Sequence, residues 1–141
     1  MSNFQGKTVL VTGASGGIGS LVAEKLAQSG IDIVLLGRDQ LALERVQAGI
    51  VNNGGKAQVI VADLLQPADR QRIADACSSL PNGLHGLINN AGVNHFAWLE
   101  DQTEELLQTQ IHLNLVAPIL LTRTLLPSLQ KTKNAQILNI G

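Results

Sequence analysis

Five short apolar runs, separated by stretches with helical character, limit this chain to one kind of architecture. The runs occupy residues 9–11, 33–36, 59–62, 87–89 and 137–140. Several are unbroken blocks of Val, Ile and Leu rather than alternating patterns, as strands buried on both faces of a parallel sheet require. Between them, residues 18–28 carry Ile18, Leu21, Val22 and Leu26 at helical spacing, with Gly30 just beyond as a stop. Residues 39–53 open at Asp39, a good N-cap, and close at Asn53-Gly54-Gly55. Residues 67–78 open with Pro67, suited to a first helical turn. A long fourth helix is expected from Thr103, with Glu104 and Glu105 favouring its N-terminus and Lys131 and Lys133 its C-terminus. This β-α-β-α order, with right-handed crossovers, predicts an α/β domain built on a doubly wound parallel sheet and spanning residues 1–141 without an internal boundary.

The most informative connection is Thr12-Gly13-Ala14-Ser15-Gly16-Gly17-Ile18-Gly19, which joins the first run directly to the first helix. Glycines there let the backbone turn tightly and approach an anion without a Cβ in the way. The helix N-terminus adds unpaired N–H groups and a partial positive charge. Gly13 takes the turn in this reading, Gly17 allows close approach, Gly19 lets helix and strand pack, and Ser15 adds a hydroxyl donor. A tight loop with no ligand is the bland alternative, but the strand before and the helix after give the context that a Rossmann-type nucleotide site needs. The Gly-Lys-Ser/Thr of a P-loop is missing, which argues against an NTPase.

Composition narrows the partners. A formal net charge of −1 gives no electrostatic reason to bind nucleic acid. With Cys77 the single cysteine, neither an intramolecular disulfide nor a cysteine-rich zinc site can form. His85, His95 and His112 lack metal-ligand spacing. No run has the length of a membrane span, and the first seven residues lack the apolar stretch of a signal peptide, so the default expectation is a cytoplasmic protein.

Thr12-Gly13 through Gly19 resembles the glycine motif of the short-chain dehydrogenase/reductase family. Three further matches keep that family's order and separations: Asp63-Leu64 after the third run, Asn89-Asn90-Ala91-Gly92 at the end of the fourth, and Asn114 in the long helix. The resemblance implies that Gly13, Ser15, Ile18 and Gly19 line the pyrophosphate and adjoining ribose of a nicotinamide cofactor. It implies that Asp63 and Leu64 contact adenine, that Asn90, Ala91 and Gly92 support the adenosine side, and that Asn114 belongs to a catalytic proton relay. Plainer roles stand beside these: Asp63 as a cap for the next segment, Asn90 as a buried amide satisfying strand-end backbone groups.

Cofactor choice turns on Leu36-Gly37-Arg38-Asp39. NAD-preferring members of the family carry an acid where this chain has Gly37, and Arg38 offers a guanidinium fork suited to a 2′-phosphate. NADP(H) is therefore the expected cofactor, with NAD(H) the alternative should Asp39 reach the ribose instead. At Asn114, a second local feature matters. Pro118 has no N–H to give the Asn114 carbonyl, and its ring clashes with that carbonyl, so a bend is expected that frees it for water. Phe96 and Trp98 follow the fourth strand, as a substrate wall or as packing.

The family's proton donor is a Tyr assisted by a Lys and a Ser beyond the fifth strand, and this chain contains no Tyr. The expectation is thus the N-terminal part of an NADP(H)-dependent oxidoreductase acting on a small-molecule carbonyl or alcohol. The sheet would be incomplete on its C-terminal side, and residues 1–141 alone inactive. The resemblance further implies a homo-oligomer, dimer or tetramer, joined through the long helix and the one after it. Two other readings stay open: a noncatalytic nucleotide-binding or interaction module, and a nucleotide-sugar enzyme on the same fold.

Overall fold

The computed structural model describes residues 4–141; Met1, Ser2 and Asn3 of the signal-peptide reading lie outside them. Five parallel strands form one sheet: β1 (Thr8–Thr12), β2 (Asp32–Gly37), β3 (Ala57–Val61), β4 (Gly86–Asn89) and β5 (Gln136–Asn139), in the order β3-β2-β1-β4-β5. The register sets Val9 beside Ile33 on one side and Gly86 on the other, and Gly86 beside Gln136. The helices are α1 (Gly17–Gln28), α2 (Gln40–Asn52), α3 (Pro67–Ser78), α4 (Glu104–Ile111) and α5 (Ala117–Leu129). The doubly wound parallel architecture expected from the apolar runs is the one found.

The unbroken apolar runs are explained by two cores, one on each face. Val11, Ile33 and Leu35 face α1 and α2, meeting Ala23, Ala27, Leu43 and Val46. Leu10, Val34, Leu36 and Leu87 face α3 and α5, meeting Ile73, Cys77, Leu121 and Leu125. Successive residues of β1 and β2 thus alternate between two buried faces, and both parities must be apolar. Burying each large aliphatic side chain contributes about 1.5–3 kcal/mol before entropy is counted. β5 differs. It is the outermost strand on its side, paired only with β4, and Ile137 and Leu138 are exposed on it.

Two helix expectations need correction. In α1 the buried positions are Gly19, Ala23 and Ala27, while Ile18 and Leu21 are 59% and 66% exposed. The helix turns its smallest side chains to the sheet because Gly19 has to lie against the Gly13 carbonyl, as described below. Val22 and Leu26 only flank that contact. The long fourth helix is not uniform. Between α4 and α5, residues His112–Val116 form a π-helical turn in which the Ala117 N–H reaches the His112 carbonyl. The disturbance expected from Pro118 takes this form, with Pro118 in the first turn of α5, where a missing N–H costs little. Thr103 caps α4, its hydroxyl accepting from Leu106 N at 3.2 Å.

Candidate functional site

The strand order reverses its direction of growth at β1, with β2 on one side and β4 on the other. In open parallel sheets the crevice at such a switch point, beyond the carboxyl ends of the strands, is where ligands bind. A cleft of about 520 Å³ opens there. The β1–α1 connection supplies Gly13, Ser15, Gly16, Gly17 and Ile18. The ends of β2 and β3 supply Leu36, Gly37, Arg38, Ala62, Asp63 and Leu64, and the end of β4 supplies Asn90, Ala91 and Gly92. Leu113, in the π turn, closes one side.

The glycine loop is held from below by the sheet. Ala14 N donates to Leu36 O at 3.0 Å. Thr12 Oγ1 accepts from Asn90 N at 3.0 Å and Ala91 N at 2.9 Å, and donates to Ile88 O at 3.3 Å. Asn90 returns the tie, its Nδ2 donating to Thr12 O at 3.1 Å and Gly13 O at 3.3 Å. The plainer role of Asn90, satisfying strand-end carbonyls, is thus realised beside the cleft. Gly13 has φ +64° and lies so close to β4's end that an added Cβ would sit 2.8 Å from Ala91 Cα. Gly17 has φ +53° with open space where a Cβ would go.

Gly19 departs from the expectation that it lines the cleft. It is buried beneath the loop, where an added Cβ would collide with Gly13 O and crowd Asn90 Nδ2. Its contribution is the close packing of helix on strand, the role that the loop's geometry alone suggests.

The start of α1 is chemically unusual. Its N-cap is Gly16, no side chain caps it, and its first turn holds no acid. A helix start carries unpaired N–H donors and a partial positive charge, which normally call for a cap. Here Gly16, Gly17 and Ile18 present that end to the cleft.

At the far end, Gly37 is buried, and a Cβ there would stand 3.3 Å from Ser15 Oγ. Any side chain at that position would press on the Ser15 hydroxyl. Arg38 reaches the cleft exposed and makes no ion pair among the described residues. Asp39 is committed elsewhere: its carboxylate accepts from Ala42 N at 3.0 Å and caps α2. Asp63 Oδ1 accepts from Leu65 N at 3.0 Å, the local capping role open to it, and the residue still lines the cleft.

Asn114 stands at the opposite end. Its Oδ1 accepts from Val93 N at 2.8 Å and its Nδ2 donates to Val93 O at 2.7 Å, a two-way clasp on the segment that follows Gly92. A Cβ on Gly92 would come within 3.0 Å of Asn114 Oδ1. Phe96 and Trp98, farther along, are 94% and 77% exposed. His112 is tied to its own helix, with Nδ1 2.7 Å from Gln108 O. Cys77 is buried in the core, and burial pushes its thiol up to about 11, which keeps it a neutral, unreactive core residue.

Sequence reasoning brought together every lining residue it named except Gly19. It gave no role to Thr12, Gly16, Leu36, Ala62 and Leu113. Thr12 and Gly16 stand inside the glycine motif and could have been found there. The other three are apolar residues whose place depends on where strands end and how the π turn rotates its side chains. Among the described residues no group of three or more His, Cys, Asp or Glu is gathered as for a metal, and no helix is long and apolar enough to cross a membrane.

A parallel sheet opened at its switch point, with a glycine loop and a bare helix start under the opening, defines a Rossmann-type α/β domain. The chain belongs to the short chain dehydrogenase family, whose sequence profile matches residues 7–141. It is 33% identical to a fatty acyl-CoA reductase of Acinetobacter baylyi over 99% of this chain and 48% of that one. A metagenomic short-chain oxidoreductase solved in complex with NADP superposes with a TM-score of 0.92 at 35% identity, over 99% of this chain and 64% of the other. A short chain dehydrogenase of Burkholderia cenocepacia, also in complex with NADP, gives 0.90 at 30% identity over 99% and 57%. The chain spans about half the length of the curated relatives it matches.

Proposed function

We propose that residues 1–141 form the cofactor-binding part of an NADP(H)-dependent oxidoreductase that interconverts a small-molecule carbonyl and alcohol. The single observation carrying this reading is the uncapped, acid-free start of α1 opening into the switch-point cleft. The donor set fits a dinucleotide. The α1 amides and the loop from Gly13 to Ile18 take the pyrophosphate, with the Ser15 hydroxyl beside them. Asp63 and Leu64 take the adenine, while Asn90, Ala91 and Gly92 support the adenosine side. Bound there, a nicotinamide cofactor supplies the hydride exchanged with the substrate carbon.

The preference for NADP(H) over NAD(H) rests on Gly37, Arg38 and Asp39 together. No carboxylate projects from Gly37 to repel a 2′-phosphate, Asp39 is spent on its helix, and Arg38 has no competing ion pair among the described residues. A charge-assisted contact from Arg38 is worth about 1.5–3 kcal/mol. The NADP complexes of two structural relatives agree with this reading.

Asn114 acts as a positioning residue in this proposal. Its side chain fixes the Val93 segment. Its carbonyl lies in the π turn that replaces the α-helical pairing Pro118 cannot make, and is assigned the water of the proton relay. The phenol that completes such a relay in the family has no counterpart here, since the chain contains no Tyr; residues 1–141 alone are therefore expected to bind cofactor without turnover. The exposed Ile111, Leu115, Ile119 and Leu126 along the α4–α5 helix support a homo-oligomer joined through that helix.

Paired titration with NADPH and NADH, on the wild type and on Arg38→Ala, tests the cofactor assignment. NADPH is expected to bind the wild type more tightly, and Arg38→Ala to lose about tenfold in NADPH affinity with NADH unchanged. Equal affinities, or tighter NADH, would overturn the preference for NADP(H).

A further inference from the structure

We infer that Asp69, Arg70 and Arg72 of α3 are positioning residues for the adenine end of the cleft, an inference that rests on the cofactor reading above. None of the three lines the cleft. Each instead holds the backbone of the segment that does.

Between the end of β3 and the start of α3 the chain passes through Ala62, Asp63 and Leu64 without regular structure. Ala62 N still donates to Gly37 O and Asp63 O accepts from Gln66 N, but the remaining backbone groups of this crossing need other partners. Three contacts from the first turns of α3 supply them, and a fourth joins two of the side chains that make them. Asp69 Oδ2 accepts from Asp63 N at 2.7 Å. Arg70 Nη1 donates to Leu64 O at 2.5 Å. Arg72 Nη2 donates to Val61 O at 2.6 Å and to Asp69 Oδ1 at 3.0 Å. Carbonyl, amide and carbonyl at positions 61, 63 and 64 are thus held in turn, and the Asp69–Arg72 ion pair locks two of the holders to each other.

These are charge-assisted hydrogen bonds, stronger than neutral ones. The Asp63 N–H and the Arg72 guanidinium hold the Asp69 carboxyl below its usual range, as acceptance from both requires. The consequence is a fixed orientation of Asp63. Its N–H is held by Asp69 and its Oδ1 by Leu65 N, so the residue enters the cleft with its backbone and one carboxylate oxygen already set. Leu64, 5% exposed, is pinned through its carbonyl against the core while still forming part of the cleft wall. Binding an adenine then costs little ordering at this end.

The test separates the two halves of the cofactor. Adenosine diphosphoribose carries the adenine half with the pyrophosphate, and nicotinamide mononucleotide carries the other. Their binding to the purified protein is measured by calorimetry beside that of NADPH. Asp69→Ala is expected to weaken adenosine diphosphoribose and NADPH by about five- to tenfold, and to leave nicotinamide mononucleotide unchanged. Asp69→Asn, which keeps an acceptor for Asp63 N, is expected to recover most of the loss. Arg70→Ala, which leaves both Asp69 contacts in place, is expected to weaken the adenine half in the same direction. It also keeps the question decidable should Asp69→Ala fold poorly. Asp75→Ala, on the same helix but bonded only to Gln71 through its side chain, is the control. Unchanged binding of adenosine diphosphoribose by folded Asp69→Ala and Arg70→Ala overturns the inference, as does an equal loss for both halves. A wild type that binds neither NADPH nor NADH overturns the cofactor reading itself, and this inference with it.

Discussion

Helices α1 and α2 leave the same rim of the sheet, after β1 and β2, and begin in opposite ways. α2 starts in the ordinary manner, with the Asp39 carboxylate bonded to Ala42 N. α1 starts at Gly16, with no side-chain cap and no acid in its first turn. The two starts also differ in what they face. Gly16, Gly17 and Ile18 line the cleft, whereas Asp39 does not. A cap at the first position would satisfy the helix and fill the space an anion needs. Glycine costs only a few tenths of a kcal/mol relative to a good cap, so leaving α1 open sacrifices little stability and keeps a binding site. One helix start is closed by its own chain; the other is left open to the cleft.

That contrast can be broken from either side. The largest effect is expected from Gly19→Ala. The methyl would strike Gly13 O and Asn90 Nδ2, both backed by the β1–β4 hydrogen bonds, so the loop has to move. Overpacking of this kind costs about 3 kcal/mol; thermal melts should show that loss, and cofactor titration should show binding gone. A variant with wild-type stability and affinity would mean that the α1 contact is not built as described. Asp39→Ala is the counterpart on α2. It should cost about 1 kcal/mol of stability and leave cofactor affinity unchanged, as urea unfolding with parallel titration would show. A large affinity loss there would place Asp39 in the site.

The smallest effect is a pH dependence at the start of α3, where the carboxylate in the first turn reaches back to the cleft segment. Hydrogen bonds from Asp63 N and Arg72 hold Asp69 below its usual range. A carboxyl whose folded value is depressed contributes stability that is present above the unfolded value. That contribution is lost as pH falls through the folded one. Melting wild type and Asp69→Asn from neutral pH down to about pH 3 should show a small wild-type advantage that shrinks with acidity. An advantage independent of pH would mean that the charge plays no part.

Much of this was legible in the sequence where one physical cause acts alone. Strands buried on both faces must be apolar at both parities, so β1 and β2 announce themselves. Pro67 marks the start of the helix expected over residues 67–78, which is the range found for α3. The glycine loop could be placed because a strand precedes it and a helix follows. Legibility failed where a tertiary contact overrules a local pattern. Helical spacing favours Ile18 and Leu21 as the buried face of α1, yet the approach of Gly19 to the Gly13 carbonyl rotates both outward. Pro118 signals a disturbed helix, but nothing local says that it becomes a π turn over His112–Val116 or that Leu113 then reaches the cleft. Asp69 reads as an ordinary first-turn acid. Only the fold brings Asp63 N to it.

The central claim is that the bare start of α1 receives the cofactor's pyrophosphate. The most direct measurement is NADPH titration of the wild type and of Gly16→Asp, with a thermal melt of each. Gly16 has extended backbone, φ −168°, and open space around its Cβ position, so the carboxylate can cap the helix without strain. The expected result is that Gly16→Asp melts at or slightly above the wild type while losing at least about a hundredfold in NADPH affinity, its carboxylate holding the donors and repelling the phosphates. Equal NADPH affinity in two equally stable proteins would contradict the claim.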